Sequence, residues 1–276
     1  MSGEVGVLHV IQSFSLGGAE RMAVELANRA DCSELRPALL ATRGDGPLRR
    51  EVREDIPVLT LGRRQRWDPR AFAAFRAFVR RHQIRVIHSH GPGPLLYSTA
   101  ALLSGGMRRA HLFHDHHGRE SALLPEPSLA TRAAFRLGLT AVIGVSRLAC
   151  EWARRRMGWP AGKTFLLRNG IDTERFFRAD PAPIRVELGL RPDELLVAMV
   201  ANFRWEKDHV TALRALAQCR ERRRLRLLLL GGGHGPGEHE AQARRAAETL
   251  GISDQVIFAG VRHDIPEVLA ACDLGL

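Results

Sequence analysis

The chain has 276 residues, of which 45% are hydrophobic and 26% charged, a balance that excludes a low-complexity or fibrous polypeptide and fits two compact domains or one large one. No apolar run reaches the roughly 18 residues of a membrane-spanning helix, and the opening MSGEVGVLHVIQSF lacks the basic-then-apolar order of a signal peptide, so a cytoplasmic protein is expected. The net charge of +11 is uneven: residues 1–178 carry 28 Lys+Arg against 16 Asp+Glu, residues 179–276 carry 13 against 14, and a basic half beside a neutral one points to an anionic partner such as nucleic acid, an acidic membrane face or a phosphorylated substrate.

Short apolar runs alternate with helical patterns along the whole chain. Val5–Ile11 reads as a strand, and Ala19, Met22, Ala23, Leu26, Ala27 and Ala30 then recur at helical spacing to mark one buried face. Further strand-like runs are Pro37–Ala41, Val58–Leu61, Arg85–His88, His111–His114, Ala141–Val145 and Thr164–Leu167. Phe72, Phe75 and Val79 lie on one side of a helix between two of them, and Ser146 is placed to cap the helix that carries Leu148 and Trp152. Strands alternating with helices predict a doubly wound, mostly parallel sheet.

A boundary is expected near residue 178, giving domains 1–178 and 179–276. ADPAPIRVELGLRPDE, with three prolines, reads as a poor candidate for core structure. The alternation restarts with LLVAMVANF, a helix near His209–Arg222, LRLLLLGGG, a helix near Glu238–Leu250, and QVIFAG. Asp264 is expected to cap the next helix, with Glu267 completing a capping box. The final ACDLGL reads as the start of another strand, so the second domain is expected to be incomplete.

Four features carry chemistry. Gly17-Gly18 separate the first strand from its helix, where backbone can approach an anion; the pair lacks a G-x-G-x-x-G or P-loop context, and a plain tight turn explains it as well. Six of the twelve histidines fall within 30 residues, at 88, 90, 111, 114, 116 and 117. They read as loop groups at the sheet edge where α/β folds bind ligands, with metal ligation as the sharper alternative. Arg204 and Lys207, three apart in ANFRWEKDH, suit a diphosphate clamp or plain surface pairing with Glu206 or Asp208. Gly231–Gly237 follows a strand and precedes a helix, as a nucleotide-binding or simply flexible loop. The cysteines Cys32, Cys150, Cys219 and Cys272 share no C-x-x-C spacing, against a disulfide scaffold or zinc finger.

Taken together, HVIQSFSLGGAERMAVELA, IRVIHSHG, HDHHG, AVIGVS, LLRNGIDTERF, VANFRWEKDH, LLLLGGG and VIFAGVRHDIPEVLAACDL resemble glycosyltransferase family 4, in the family's order and over nearly the whole chain. The resemblance implies retaining, nucleotide-sugar-dependent hexosyl transfer by two Rossmann-like domains of GT-B type facing a cleft, the first on the acceptor side and the second holding the donor. It places Lys207 on the donor diphosphate. The arginine often found five residues earlier is here Asn202, leaving Asn202 or Arg204 as the clamp's second member. Gly17 and Gly18 would lie near the diphosphate and the transferred sugar, and Gly232 and Gly233 near the nucleotide. The backbone of Gly260–Arg262, which includes Val261, would meet the base. His117 matches the first domain's active-site histidine, with His116 as the nearest alternative.

The family's E-x7-E motif should follow AACDL, where this chain stops, so weak or absent activity of this chain alone is expected. No cofactor or metal is implied beyond a UDP- or GDP-sugar donor. The expected acceptor is a glycan or lipid-linked molecule of cell-wall or surface-polysaccharide synthesis. Peripheral contact with the inner face of an anionic membrane is expected through Arg63, Arg64, Arg66 and Trp67, and nucleic acid is not a partner. The competing readings are a metal-dependent hydrolase using the His88–His117 cluster, and a nucleic-acid-binding module that a single Tyr makes poor in stacking platforms.

Overall fold

A computed structural model describes residues 4–65, 67–115, 128–232 and 237–276. It divides into two compact units, up to Gly170 and from Ile171. In the first, β1 (Val5–Ser13), β2 (Leu35–Gly44), β3 (Val58–Thr60), β4 (Ile84–His90), β5 (Ala110–Asp115), β6 (Ala141–Gly144) and β7 (Thr164–Leu166) form one sheet in the order β3-β2-β1-β4-β5-β6-β7. Every pairing is parallel. The intervening helices are α1 (Gly18–Asn28), α2 (Pro69–Arg81), α3 (Pro92–Leu103), α4 (Leu129–Gly138) and α5 (Arg147–Met157).

Both faces of this sheet are covered, as an all-parallel sheet requires. Leu8, Val10 and Ile87 pack with Phe75, Val79, Tyr97 and Ala101 on one side. Ile11, Leu39 and Ala41 pack with Ala23, Val24 and Ala27 on the other. Val24 therefore joins the buried stripe of α1, while Met22 and Leu26 sit half-buried at its margin. Ser146 caps α5 as expected, accepting from the Ala149 N–H at 3.1 Å.

The second unit contains α6 (Thr173–Phe177), α7 (Ala182–Glu187), β8 (Leu195–Val200), α8 (His209–Gln218), β9 (Leu225–Leu230), α9 (Glu238–Thr249), β10 (Val256–Gly260), α10 (Ile265–Ala271) and β11 (Leu274–Gly275). Its parallel order, β10-β9-β8-β11, repeats the β3-β2-β1-β4 arrangement of the first unit. Successive leucines of β9 serve opposite faces: Leu227 and Leu229 meet Leu213 and Ala243, whereas Leu228 and Leu230 meet Ile184 and Val268.

Three expectations change here. The division falls after Gly170 rather than residue 178, because α6 packs on α10 and Arg175 donates to the His263 carbonyl at 3.4 Å. The proline-rich ADPAPIRVELG segment contributes to the core: α7 buries Ile184, and its prolines occupy the cap and first turn, where a missing N–H costs nothing. Asp264 makes no side-chain cap for α10, because its carboxylate is taken by Arg262. Among the described residues no helix is long and apolar enough to cross a membrane.

Candidate functional site

Open parallel sheets bind ligands beyond the carboxyl ends of their strands, where the strand order reverses. In the second unit that edge is built by three loops tied to one another. Gly231, just past β9, donates its N–H to the Gly260 carbonyl at 2.8 Å, and Phe203 donates to the Gly232 carbonyl at 3.0 Å. Asn202 Oδ1 accepts the Gly232 N–H at 3.2 Å. A Cβ on Gly232 would stand 3.0 Å from Val261 Cγ2, so Asn202, Gly232 and Val261 converge. The Gly232 N–H is thus engaged within the protein, and this glycine serves close approach rather than donation to a ligand.

The cations stand on the first of these loops. The segment forms a single 3₁₀ turn at Trp205–Lys207, entered from an extended Arg204. Lys207 closes the turn by donating its N–H to the Arg204 carbonyl at 3.1 Å. Arg204 is half-buried and Lys207 exposed. Asp208 then adopts φ 47°, a left-handed conformation that Asp tolerates, and caps α8 through the Thr211 N–H at 3.3 Å and hydroxyl at 2.7 Å. His209 fastens the turn to the core: it is buried, stacks on Phe203 at 4.3 Å, and hydrogen-bonds the Ala201 backbone. Burial holds its pKa below the ordinary histidine value, with Ala201 and Asp208 opposing.

Arg262 is committed structurally. Its guanidinium forks onto Glu187 of α7 and Asp264 before α10, and that pairing holds both carboxyls below their usual range. What this residue leaves for a ligand is its backbone, on a loop made rigid by two carboxylates.

In the first unit, Gly17 is the extended N-cap of α1, without a side-chain cap, and open space surrounds Gly18. Arg63 lies over the Tyr97 ring at 4.6 Å, Arg64 is exposed, and Trp67 is 59% exposed. Arg66, His116, His117 and Gly233 lie outside the described residues.

The remaining histidines are not loop groups, which corrects the expectation. His88, His90, His111 and His114 are buried within β4 and β5. Register puts His9 opposite His88 and His90 opposite His114, all on one face. His9 Nδ1 and His90 Nε2 are 3.0 Å apart, and His88 stacks on His114 at 5.2 Å. His111 faces the other side, 2.7 Å from Ser89 Oγ. Burial lowers the pKa of His9 and of His111 to about 4, His114 adding to the effect on His9.

Ring nitrogens of His9, His88 and His90 lie within 4.8 Å of one another, the one such group among the described residues. A catalytic metal keeps a position open to water, and all three of these imidazoles are buried. The trio fits a packed polar layer better than a hydrolase centre. His9 escaped sequence reading because its partners lie 79 and 81 residues away; only strand order brings them together.

The profile of Glycosyltransferase Family 4 matches residues 16–175, and that of Glycosyl transferases group 1 matches residues 182–276. The chain is 25% identical over 288 aligned positions to EpsF of Bacillus subtilis (strain 168), a protein provisionally named a glycosyltransferase; the match covers 99% of this chain and 73% of EpsF. HepE of Anabaena, solved with UDP and glucose and with UDP-glucose, superposes with TM-scores of 0.81 and 0.82 at 22% identity, again over 99% of this chain and 73% of that one. WaaG, a glycosyltransferase involved in lipopolysaccharide biosynthesis, gives 0.73 at 15% identity over 98% and 74%. The likeness in fold is to GT-B glycosyltransferases.

Proposed function

The chain belongs to Glycosyltransferase Family 4, and from that membership we propose that it transfers a hexose from a UDP-sugar, with retention at the anomeric carbon, to a glycan or lipid-linked acceptor of surface-polysaccharide synthesis. The observation that carries the donor half is the loop convergence at the second unit's sheet edge, where Asn202, Gly232 and Val261 meet beside the Arg204–Lys207 turn. The UDP and UDP-glucose bound by HepE favour UDP over GDP.

In this reading the bond from the anomeric carbon to the diphosphate breaks, the acceptor hydroxyl oxygen bonds to the same face, and its proton leaves with the diphosphate. Lys207 and Arg204 stabilise the charge that grows on the departing diphosphate, an effect worth most when it is aimed at the transition state. The backbone at Val261 and Arg262 meets the base. Gly17 and Gly18 admit the diphosphate and sugar, and His117 contacts the transferred sugar.

Calorimetry with UDP and GDP, together with release of UDP from UDP-glucose, tests the donor assignment: UDP should bind more tightly, and a preference for GDP would overturn the choice of base. His117→Ala should retain UDP affinity while losing transfer, and equal loss of both would make that histidine structural. Arg64 and Trp67 are the exposed groups of the proposed membrane contact. Vesicles of anionic lipid should sediment the protein, neutral ones should not, and salt should weaken the binding because exposed charges are screened over roughly 8 Å at physiological ionic strength. A protein that ignores anionic vesicles at low salt acts on a soluble acceptor.

A further inference from the structure

The sheet edge of the first unit contains a cavity of about 260 Å³ lined by Arg43, Arg63, Trp67, Gly93, Leu96 and Tyr97. Arg43 is the penultimate residue of β2, and Gly93 and Leu96 belong to the start of α3, which follows β4. The cavity therefore opens beyond the carboxyl ends of the strands, on the side of α2 and α3. Pockets that enclose drug-sized ligands usually measure roughly 300–1,000 Å³, so this one suits a single sugar ring and is small for a nucleotide.

Its lining joins two chemistries. Trp67 stands at the rim, 59% exposed, and is held there edge-on against Phe72, with ring centroids 6.1 Å apart; Phe72 in turn lies 4.8 Å from Tyr97. An indole face is electronegative and attracts the C–H face of a pyranose. The guanidinium of Arg63 is held over the Tyr97 ring at 4.6 Å, and Arg43 supplies a second cation. No lining residue is acidic. Arg63 also donates Nη1 to the Gln65 carbonyl at 3.3 Å, and the exposed guanidinium of Arg43, with the positive charge of Arg63 beside it, suits a carboxylate or phosphate.

We propose that this cavity binds a sugar bearing a negatively charged substituent, a uronic-acid carboxylate or a phosphate ester, as the recognised unit of the acceptor. Only the word acceptor rests on the glycosyltransferase reading; the binding itself does not. The basic excess of residues 1–178 has the sign such a ligand requires.

Ligand-observed NMR on the whole chain, with saturating UDP to occupy the donor loops, tests the idea with methyl glucuronide, glucose 1-phosphate and neutral methyl glucoside. At least one charged probe should bind, and more tightly than the glucoside; which one binds separates carboxylate from phosphate. Arg43→Gln and Trp67→Ala, both exposed positions, should each weaken that binding at least about tenfold, whereas Arg50→Gln, an exposed arginine elsewhere on the unit, should change nothing. Neutral and charged probes binding alike, no binding of either charged probe, or charged-probe binding that survives both substitutions would overturn the proposal. UDP affinity, titrated on the chain before any sugar probe is added, reports on the donor reading separately, so the two can fail independently.

Discussion

Asn202 accepts the Gly232 N–H at 3.2 Å in a half-buried loop, so truncating it removes a neutral hydrogen bond and leaves an amide in need of water. Asn202→Ala should lower stability by about 0.5–1.5 kcal/mol, read as a lower urea midpoint with an unchanged slope. Exposed Lys207 buries little. Lys207→Ala should therefore leave the midpoint in place and reduce UDP release from UDP-glucose on the order of 10²-fold. A variant pair with the opposite pattern would exchange the two roles. From spacing alone Lys207 suits a diphosphate clamp or plain surface pairing, and its donor role comes from the family resemblance, which this variant tests. The work of Asn202 was not legible in the sequence, because its partner lies 30 residues away and no local spacing links them.

At the scale of elements, Gly231 joins three loops. It has φ 151°, and a Cβ there would run into the Ala201 carbonyl oxygen. Gly231→Ala should part the loops after β8 and β9 at a cost of about 1–3 kcal/mol and lower UDP affinity, while the first unit melts as before; unaltered UDP binding would remove this junction from the donor site. All seven strands of the first unit were legible, because each is a short apolar run between turn residues. Helix α3 was less so: it buries residues around most of its circumference, from Leu95 and Tyr97 to Ala101, which erases the periodic stripe. Helix α7 was hidden by prolines that the first turn accepts. The capping box at Asp264 failed because a guanidinium outbids a backbone N–H for a carboxylate.

For the molecule as a whole, acid should act on the two units in sequence. His9 and His111 both belong to the first, with folded pKa values of about 4 against about 6.5 when unfolded. Between those values the unfolded chain binds more protons, so stability falls as pH falls. Each histidine costs about 2 kcal/mol by pH 5. Among its described residues the second unit holds one buried histidine of lowered pKa, His209, where Ala201 and Asp208 oppose the effect of burial. Beside it, Glu187, Glu194 and Asp264 have lowered pKa values that keep their stabilisation until pH falls through those folded values, below the ordinary carboxyl range. Calorimetry at pH 5 should show the first unit melting ahead of the second, with the gap narrowing in His111→Gln; two units that shift together would refute this. The alternation of elements made the two-unit architecture readable from the sequence. The acid sensitivity was not readable, because burial of a histidine is a property of the assembled sheet.

The imidazole layer also bears on how that sheet assembles. On β4, His88 and His90 face the same side as His9 and His114, and Ile87 faces Phe75 and Val79. A slip of β4 by one residue would exchange these faces and press two imidazoles into the aliphatic side. The four rings thus tie the alignment of β1, β4 and β5 to one shared polar face, with His9 joined to His90 across it.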